Sequence, residues 1–267
     1  MRRKYFRIAI FLLVIMALVS VSSLSLPVKS AYLSIVSHSS YLSSSGEYYW
    51  INGEMQNLGT EAVLYAGVEA TLYDAETTFI AVEEGAVIPF VVMPHQKAPF
   101  IVMFHNSSQA SRVSRYTLDL SVFSSIEYPI PEGLRILSQS NFIDYLGYLR
   151  ISGEVQNTGT KTASDTNVFV TCYDSNGTVV VCGFAYTEPR NIPQGEKATY
   201  DIMQIDSDRA SLVDSFVLSA ISEEYRCYEY PTVVIPEFSS YTLLLVSLTV
   251  VAVAVVIYKQ RLRPQTN

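Results

Sequence analysis

The sequence predicts an all-β fold: two tandem immunoglobulin-like antiparallel β-sandwich modules, flanked by an N-terminal signal or apolar helix and a C-terminal transmembrane helix. Three observations support this prediction. The chain repeats itself at a spacing of 100 residues, its middle part alternates short β-type segments with turn residues, and its two ends are apolar. Modules of about 95 residues with roughly seven short strands are typical of such sandwiches.

The repeat is clearest in one polar segment. Residues 53–60 read GEMQNLGT and residues 153–160 read GEVQNTGT, so six of eight positions are identical. The likeness continues from VEATLYD at 68–74 to VFVTCYD at 168–174 in the same register. A repeat that extends this far indicates a duplicated module and not a copied motif.

The two copies are separated by the sequence PIPEG at residues 129–133. Closely spaced proline with glycine ends strands and stiffens a connection, so we interpret this segment as a linker. The predicted modules therefore cover residues 31–128 and 134–230.

Each module has the residue pattern of β-strands. Asn176-Gly177 lies between two β-branched runs and predicts a tight hairpin turn, because both residue types tolerate positive φ. Val68, Ala70 and Leu72 correspond to apolar residues in the second copy and predict an inward-facing row. The alternate row exchanges Glu69 for Phe169, which predicts the more exposed face.

The repeated segment has two possible interpretations, a structural turn or a ligand site present in duplicate. Asparagine can close a turn with its own side chain, and glycine supplies positive φ. We therefore favour the turn. The residues of this repeat turn motif are Gly53, Asn57, Gly59, Gly153, Asn157 and Gly159.

Residues 1–30 have the layout of a secretory signal peptide. A basic start precedes a nearly continuous apolar stretch from Ile8 to Val21, and small residues follow before Ala31. The alternative is an uncleaved anchor helix. In either case the modules are expected outside the cytoplasm.

The other end of the chain is also apolar. Residues 231–240 form a predicted stalk, and residues 241–258 contain no charge. As a helix, the latter segment would be roughly 27 Å long, enough to cross a membrane. The basic residues of the tail 259–267 should remain in the cytoplasm. The protein is thus expected at the cell surface, anchored in the cytoplasmic membrane with its ectodomain outside.

The charge distribution limits the possible partners. Eight of the 18 basic residues lie in the two ends, so residues 31–235 keep 10 basic against 24 acidic residues, a net charge of −14. Such a surface repels nucleic acid and favours solubility. We expect no nucleic-acid partner.

The modules resemble the FxLYD type of small β-sandwich domain. Leu72-Tyr73-Asp74 matches the motif well, whereas Cys172-Tyr173-Asp174 departs from it at leucine, and alanine or valine occupies the phenylalanine position in both copies. The resemblance covers roughly residues 32–127 and 133–225. It implies a fold and an extracytoplasmic setting, and no chemistry.

The C-terminal segment resembles the PEF-CTERM sorting tail of archaeal surface proteins. Pro236, Glu237 and Phe238 stand directly before the apolar span, and a basic cluster follows it. The resemblance implies processing by an archaeosortase-type membrane enzyme at this sorting motif. An ordinary membrane anchor is the alternative.

The three cysteines leave several states open. Cys172 and Cys182 flank the predicted Asn-Gly hairpin, where they could form a disulfide or remain as two buried thiols. Cys227 lies just past residues 133–225, the part of the second module that the resemblance covers, and is an odd cysteine that could pair between chains.

Nothing in the sequence indicates a catalytic, cofactor-binding or metal site. His38, His95 and His105 have no histidine at the matching positions of the second module, and no nucleophile or phosphate-loop motif is present. Asn106 and Asn176 begin glycosylation sequons.

We therefore expect a noncatalytic cell-surface protein that displays two modules for adhesion, envelope structure or binding. Its expected partners are the membrane and other surface proteins or an envelope polymer. The alternative is an accessory extracytoplasmic subunit of a membrane enzyme or transporter complex.

Overall fold

The computed structural model describes residues 32–126, 130–205, 207–227 and 233–234. Its strands pair in antiparallel sheets, so the predicted all-β class is confirmed. The predicted signal peptide, sorting motif and apolar span lie outside the described residues. Among the residues that are described, no helix combines the length and apolar character required to cross a membrane.

The first module is built from two antiparallel sheets. Its strands are β1 (Leu33–Leu42), β2 (Tyr48–Asn57), β3 (Ala62–Tyr73), β4 (Phe79–Val87), β5 (Val91–Val92), β6 (Lys97–His105) and β7 (Arg115–Ile126). One sheet has the order β1-β2-β6 and the other has β3 between β4 and β7, with the short β5 also paired to β3. The end of β4 pairs with β6 and joins the two sheets.

The second module repeats this plan. Its strands are β8 (Leu134–Ile143), β9 (Leu149–Asn157), β10 (Asn167–Tyr173), β11 (Val179–Tyr186), β12 (Lys197–Ile205), β13 (Ser215–Ile221) and β14 (Val233–Val234). The sheet orders are β8-β9-β12 and β11-β10-β13-β14. A four-residue helix, Ser207–Ala210, connects β12 to β13.

The inward-facing row is as predicted. Val68, Ala70 and Leu72 are at most 2% exposed, and their counterparts Val168, Val170 and Cys172 are fully buried. In the second module these residues belong to one core with residues of the opposite sheet. Each module therefore has an apolar core between its two sheets, as in a sandwich.

The two modules also contact each other through polar groups. Strand β11 lies against β1 and β2, where the Cys182 backbone N–H donates to Asn52 Oδ1 at 3.0 Å and the Val179 N–H donates to Ser37 Oγ at 2.9 Å. Because these donors and acceptors belong to different modules, their bonds persist only while the modules stay together.

A buried carboxylate lies at the centre of this contact. Glu54 has only 4% of its side chain exposed; it is paired with Lys97 at 2.7 Å and accepts a hydrogen bond from the Tyr173 hydroxyl at 2.5 Å. The corresponding Glu154 pairs with Lys197 but keeps 45% of its side chain exposed. The difference follows from the position of the second module, whose Tyr173 covers Glu54.

The prediction that Phe169 belongs to an exposed face is wrong. Phe169 is 3% exposed, whereas Glu69 at the same position of the first module is exposed. Phe169 faces Pro89, Val91 and Met93 of the first module across a narrow gap. The outward row of the second module is therefore buried by the first module, which a pattern within one module cannot reveal.

This contact makes Phe169 a stability determinant that Glu69 is not. We expect Phe169→Ala to lower the free energy of unfolding by about 3–5 kcal/mol, the usual cost of truncating a buried aromatic side chain. Glu69→Ala, its matched control, should change stability by no more than about 0.5 kcal/mol. Denaturant unfolding followed by circular dichroism measures both. Equal effects of the two substitutions would contradict the module contact.

Candidate functional site

The repeated motif forms the same buried turn twice. In the second module Asn157 Nδ2 donates to the carbonyl oxygens of Lys161 and Ile192, both at 2.7 Å, and Asn157 Oδ1 accepts from the Gly159 N–H at 2.9 Å. Asn57 makes the equivalent three bonds, and both asparagines are fully buried. These side chains are occupied by the protein backbone, as the turn interpretation predicts.

Gly59 and Gly159 do not have positive φ, which corrects the expectation for these two glycines of the motif. Among the described residues, the glycines with positive φ are Gly46, Gly147, Gly177 and Gly195. A Cβ on Gly159 would lie 2.3 Å from the Tyr225 ring.

The first glycine of each repeated segment has a cross-strand aromatic neighbour. Gly53 is opposite Phe100, and Gly153 is opposite Tyr200. A Cβ on Gly53 would lie 2.2 Å from the Phe100 ring, and one on Gly153 would lie 2.0 Å from the Ser138 carbonyl oxygen. Only glycine leaves room for this approach.

The aspartates of the LYD-type motif close the next hairpin of each module. Asp74 Oδ1 accepts from the backbone N–H groups of Glu76 and Thr78, and Asp174 accepts from those of Asn176 and Thr178. Because these hydrogen bonds favour the charged form, the pKa of each carboxyl is below its usual value. Both aspartates thus have a structural role.

The strand register does not bring the two hairpin cysteines together. Cys182 is opposite Thr171, and Cys172 is opposite Val181, so the two side chains project from opposite faces of the sheet. Both are buried free thiols whose pKa is raised by burial. The disulfide interpretation is corrected by this one-residue offset.

Cys227 is also placed differently from the expectation. It lies in the core of the second module, 4% exposed, and its sulfur accepts from the Ala220 N–H at 3.0 Å. Burial raises its pKa to about 11. A thiol in this position is inaccessible to a second chain.

The histidines and sequons are dispersed. His38 hydrogen-bonds the Tyr116 hydroxyl at 2.8 Å, while His105 stacks on Tyr48. Asn176 is exposed at its hairpin tip, and Asn106 Oδ1 accepts from the Ser108 N–H and hydroxyl. Within the described ranges, no three His, Cys, Asp or Glu side chains are arranged to hold a metal ion.

An acidic row that the sequence analysis did not single out crosses the outer face of the first module. Glu69 on β3 is directly opposite Glu84 on β4 and Asp119 on β7, and all three side chains are exposed. Like charges directly opposite each other across strands are destabilising. Fold stability therefore does not explain this row.

Two exposed aromatic side chains lie on the same face. Tyr65 is 58% exposed and its ring centroid is 6.1 Å from that of Phe90, which is 39% exposed. Tyr65 has φ of 54°, a conformation that is costly for a residue other than glycine. Together with the three carboxylates, these rings line an open cleft of about 380 Å³, which we call the acidic cleft.

The second module has no equivalent of the acidic cleft in the part that the structure describes. Phe169, Phe184 and Ser219 occupy the register positions of Glu69, Glu84 and Asp119, and Phe169 and Ser219 are buried. The same face of the duplicated module is thus apolar and covered in one copy, and acidic and open in the other. Comparing the two copies position by position along the outward row could have found this difference.

No family model and no curated protein matches this sequence. Solved structures with a similar arrangement include the exo-chitosanase CsxA of Amycolatopsis orientalis, with a TM-score of 0.27 and 11% identity over 74% of this chain. Red sea bream transglutaminase gives a TM-score of 0.25 and 11% identity over 78% of this chain. The chain spans 26% and 32% of the length of these two proteins. Likeness at this level carries no inference about activity.

The buried turn predicts a stability effect at Asn157. Asn157→Ala removes three hydrogen bonds and leaves two carbonyl oxygens and an N–H group without their partner. We expect a loss of about 2–4 kcal/mol in the free energy of unfolding, and a similar loss for Asn57→Ala. The neighbouring Gln156→Ala, which removes one exposed bond to the Gly195 carbonyl, should cost less than about 1 kcal/mol. If the Asn157→Ala protein were as stable in urea as the wild type, the turn interpretation would be contradicted and the ligand-site alternative would be favoured.

Proposed function

We propose that this chain is a noncatalytic surface protein that is tethered to the membrane and holds two immunoglobulin-like modules as one rigid unit. In this proposal the acidic cleft of the first module is the surface that a partner binds. The partner is another surface protein or an envelope polymer that carries basic groups.

One observation supports the proposal most strongly: the outward face of the second module is buried against the first module, whereas the equivalent face of the first module is exposed. Module duplication supplies the same outward row twice, and the second copy uses it to dock on the first. The first copy retains an open face on which three carboxylates and two aromatic rings are exposed together. Electrostatic complementarity of this kind attracts a basic partner and excludes acidic ones.

The aromatic rings extend the range of partners that the cleft would accept. Tyrosine and phenylalanine present apolar area at low entropic cost, and they attract cationic groups to their faces. A lysine-rich protein segment or an amino-bearing polymer would satisfy both the rings and the carboxylates. An acidic polymer would be repelled.

The tether in this proposal is the predicted C-terminal segment. The PEF motif, Pro236 to Phe238, would direct archaeosortase-type processing, whereas a plain anchor would retain the span. The intact mass of the native protein distinguishes the two, because processing removes the C-terminal residues. The proposed display of the modules outside the membrane is common to both.

The acidic cleft can be tested with a charge-neutral triple variant. We expect Glu69→Gln, Glu84→Gln and Asp119→Asn together to abolish binding of the intact, detergent-solubilised protein to isolated envelope from which membrane lipid has been extracted. Binding by the wild type should weaken as salt is added, because exposed charges are screened. The amount retained after sedimentation with envelope fragments is the measurement.

A matched control separates the cleft from overall charge. Glu47, Glu188 and Glu196 are exposed carboxylates away from the acidic row, and changing all three to glutamine alters the net charge equally. This control should bind as the wild type does. Equal loss in both triple variants, or in neither, would contradict the assignment of the cleft. Recovery of one stoichiometric membrane complex, retained by the cleft variant, would favour the accessory-subunit alternative.

A further inference from the structure

The hairpin between β8 and β9 exposes an unusual amount of apolar surface. Its five large side chains are 38–94% exposed, and Tyr145 at the tip is the most exposed of them. We call this set the apolar tip: Phe142, Ile143, Tyr145, Leu146 and Tyr148. Large apolar side chains concentrated on one projecting loop indicate an interaction site.

The apolar tip is a folded loop. Asp144 Oδ1 accepts from the N–H groups of Leu146 and Tyr148 at 2.9 and 3.0 Å, and Gly147 takes a φ of 87°. The Asp144 N–H also donates to the Tyr148 carbonyl oxygen at 2.9 Å. The carboxylate is thereby directed at the backbone of its own loop.

The fold does not require apolar residues within the turn itself. The equivalent hairpin of the first module has the sequence SSSGE at residues 43–47. Ser43 accepts from the Tyr48 N–H there, and Gly46 takes a φ of 74°. The first module therefore has serines where the second has Tyr145 and Leu146, so these two apolar side chains need a separate reason.

Strand β14 ends at the end of the second module where the apolar tip lies. Strand β14 runs antiparallel to β13, with Val233 opposite Phe216 and Val234 opposite Ser215, so it heads past the first residue of β13. The last residue of β12 lies at the same end of the sandwich, because Ile205 pairs with Leu149. Leu149 is the first residue after the apolar tip. Val234, where the described part of the chain ends, and the apolar tip thus lie at the same end of the second module.

The sequence beyond Val234 contains the predicted span. Residue 241 is seven residues past Val234, a distance of at most roughly 25 Å for an extended chain. We infer that the apolar tip rests in the interfacial layer of the lipid bilayer into which the predicted span inserts. This inference rests on the proposed membrane tether.

The chemistry of the tip fits a lipid interface better than a protein partner. Tyrosine is enriched where membranes meet water, because its ring is apolar and its hydroxyl is polar. The tip is a single projecting hairpin and offers neither a groove nor a broad face. In the inferred arrangement Tyr145 and Leu146 enter the acyl boundary, and Tyr148 lies at the level of the head groups.

Site-directed tryptophan fluorescence in the intact chain can test this arrangement. The only tryptophan of the chain, Trp50, is first removed as Trp50→Phe. Tyr145→Trp then reports on the apolar tip, and Ser44→Trp reports on the equivalent tip of the first module. Each full-length protein is reconstituted into phosphatidylcholine vesicles with ordinary or brominated acyl chains, and its flotation with the vesicles is recorded.

We expect both proteins to float with the vesicles. In the Tyr145→Trp protein, brominated lipid should quench the tryptophan emission and plain lipid should shift it to the blue, whereas neither lipid should change the emission of the Ser44→Trp protein.

Four other results would overturn the inference. Flotation of the Tyr145→Trp protein without quenching would contradict it while leaving the tether intact, and a shielded tryptophan in this protein without lipid would instead indicate a protein partner. Equal quenching in the two proteins would contradict a specific role of the apolar tip. Failure to float would overturn the tether and the inference together.

Discussion

The hydrogen bond from Tyr173 to the buried carboxylate of Glu54 fixes the relation between the two modules. A carboxylate with 4% of its side chain exposed must be paired, and Lys97 of its own module supplies the positive charge. Tyr173 comes from the other module and caps the remaining oxygen. Around this group, Asn52 and Ser37 accept backbone hydrogen bonds from β11. Separation of the modules would expose Phe169 and leave these groups to water.

This contact explains how a duplicated module acquired two different surfaces. The buried turn of Asn57 and Asn157 and the close packing at Gly53 and Gly153 are common to both copies, because each module needs them to fold. The outward row is not needed for folding within a module, so it could diverge. In the second copy it became the docking face, and in the first it carries the acidic row that we propose as a partner-binding surface.

The sequence predicted most of what depends on contacts within one module. The fold class followed from the repeat and from β-type segments, and the inward row of Val68, Ala70 and Leu72 followed from period-two alternation. The turn role of Asn57 followed from its side-chain chemistry. These features are local, and the residues that determine them lie within one module.

What depends on contacts between modules or on exact register could not be predicted. Phe169 has the spacing of an exposed residue, and its burial comes from the first module. The offset of one residue between Cys172 and Cys182 places their side chains on opposite faces, which the loop length alone does not reveal.

The central claim is that the second module is permanently docked on the first, and amide hydrogen exchange at Cys182 tests it most directly. Its N–H donates across the interface to Asn52 Oδ1. If the modules act as one unit, this amide should exchange as slowly as the core amides of β10, and Asn52→Ala should accelerate its exchange specifically. Rapid exchange of the Cys182 amide in the wild-type protein, unchanged by Asn52→Ala, would show that the modules separate freely and would contradict the account.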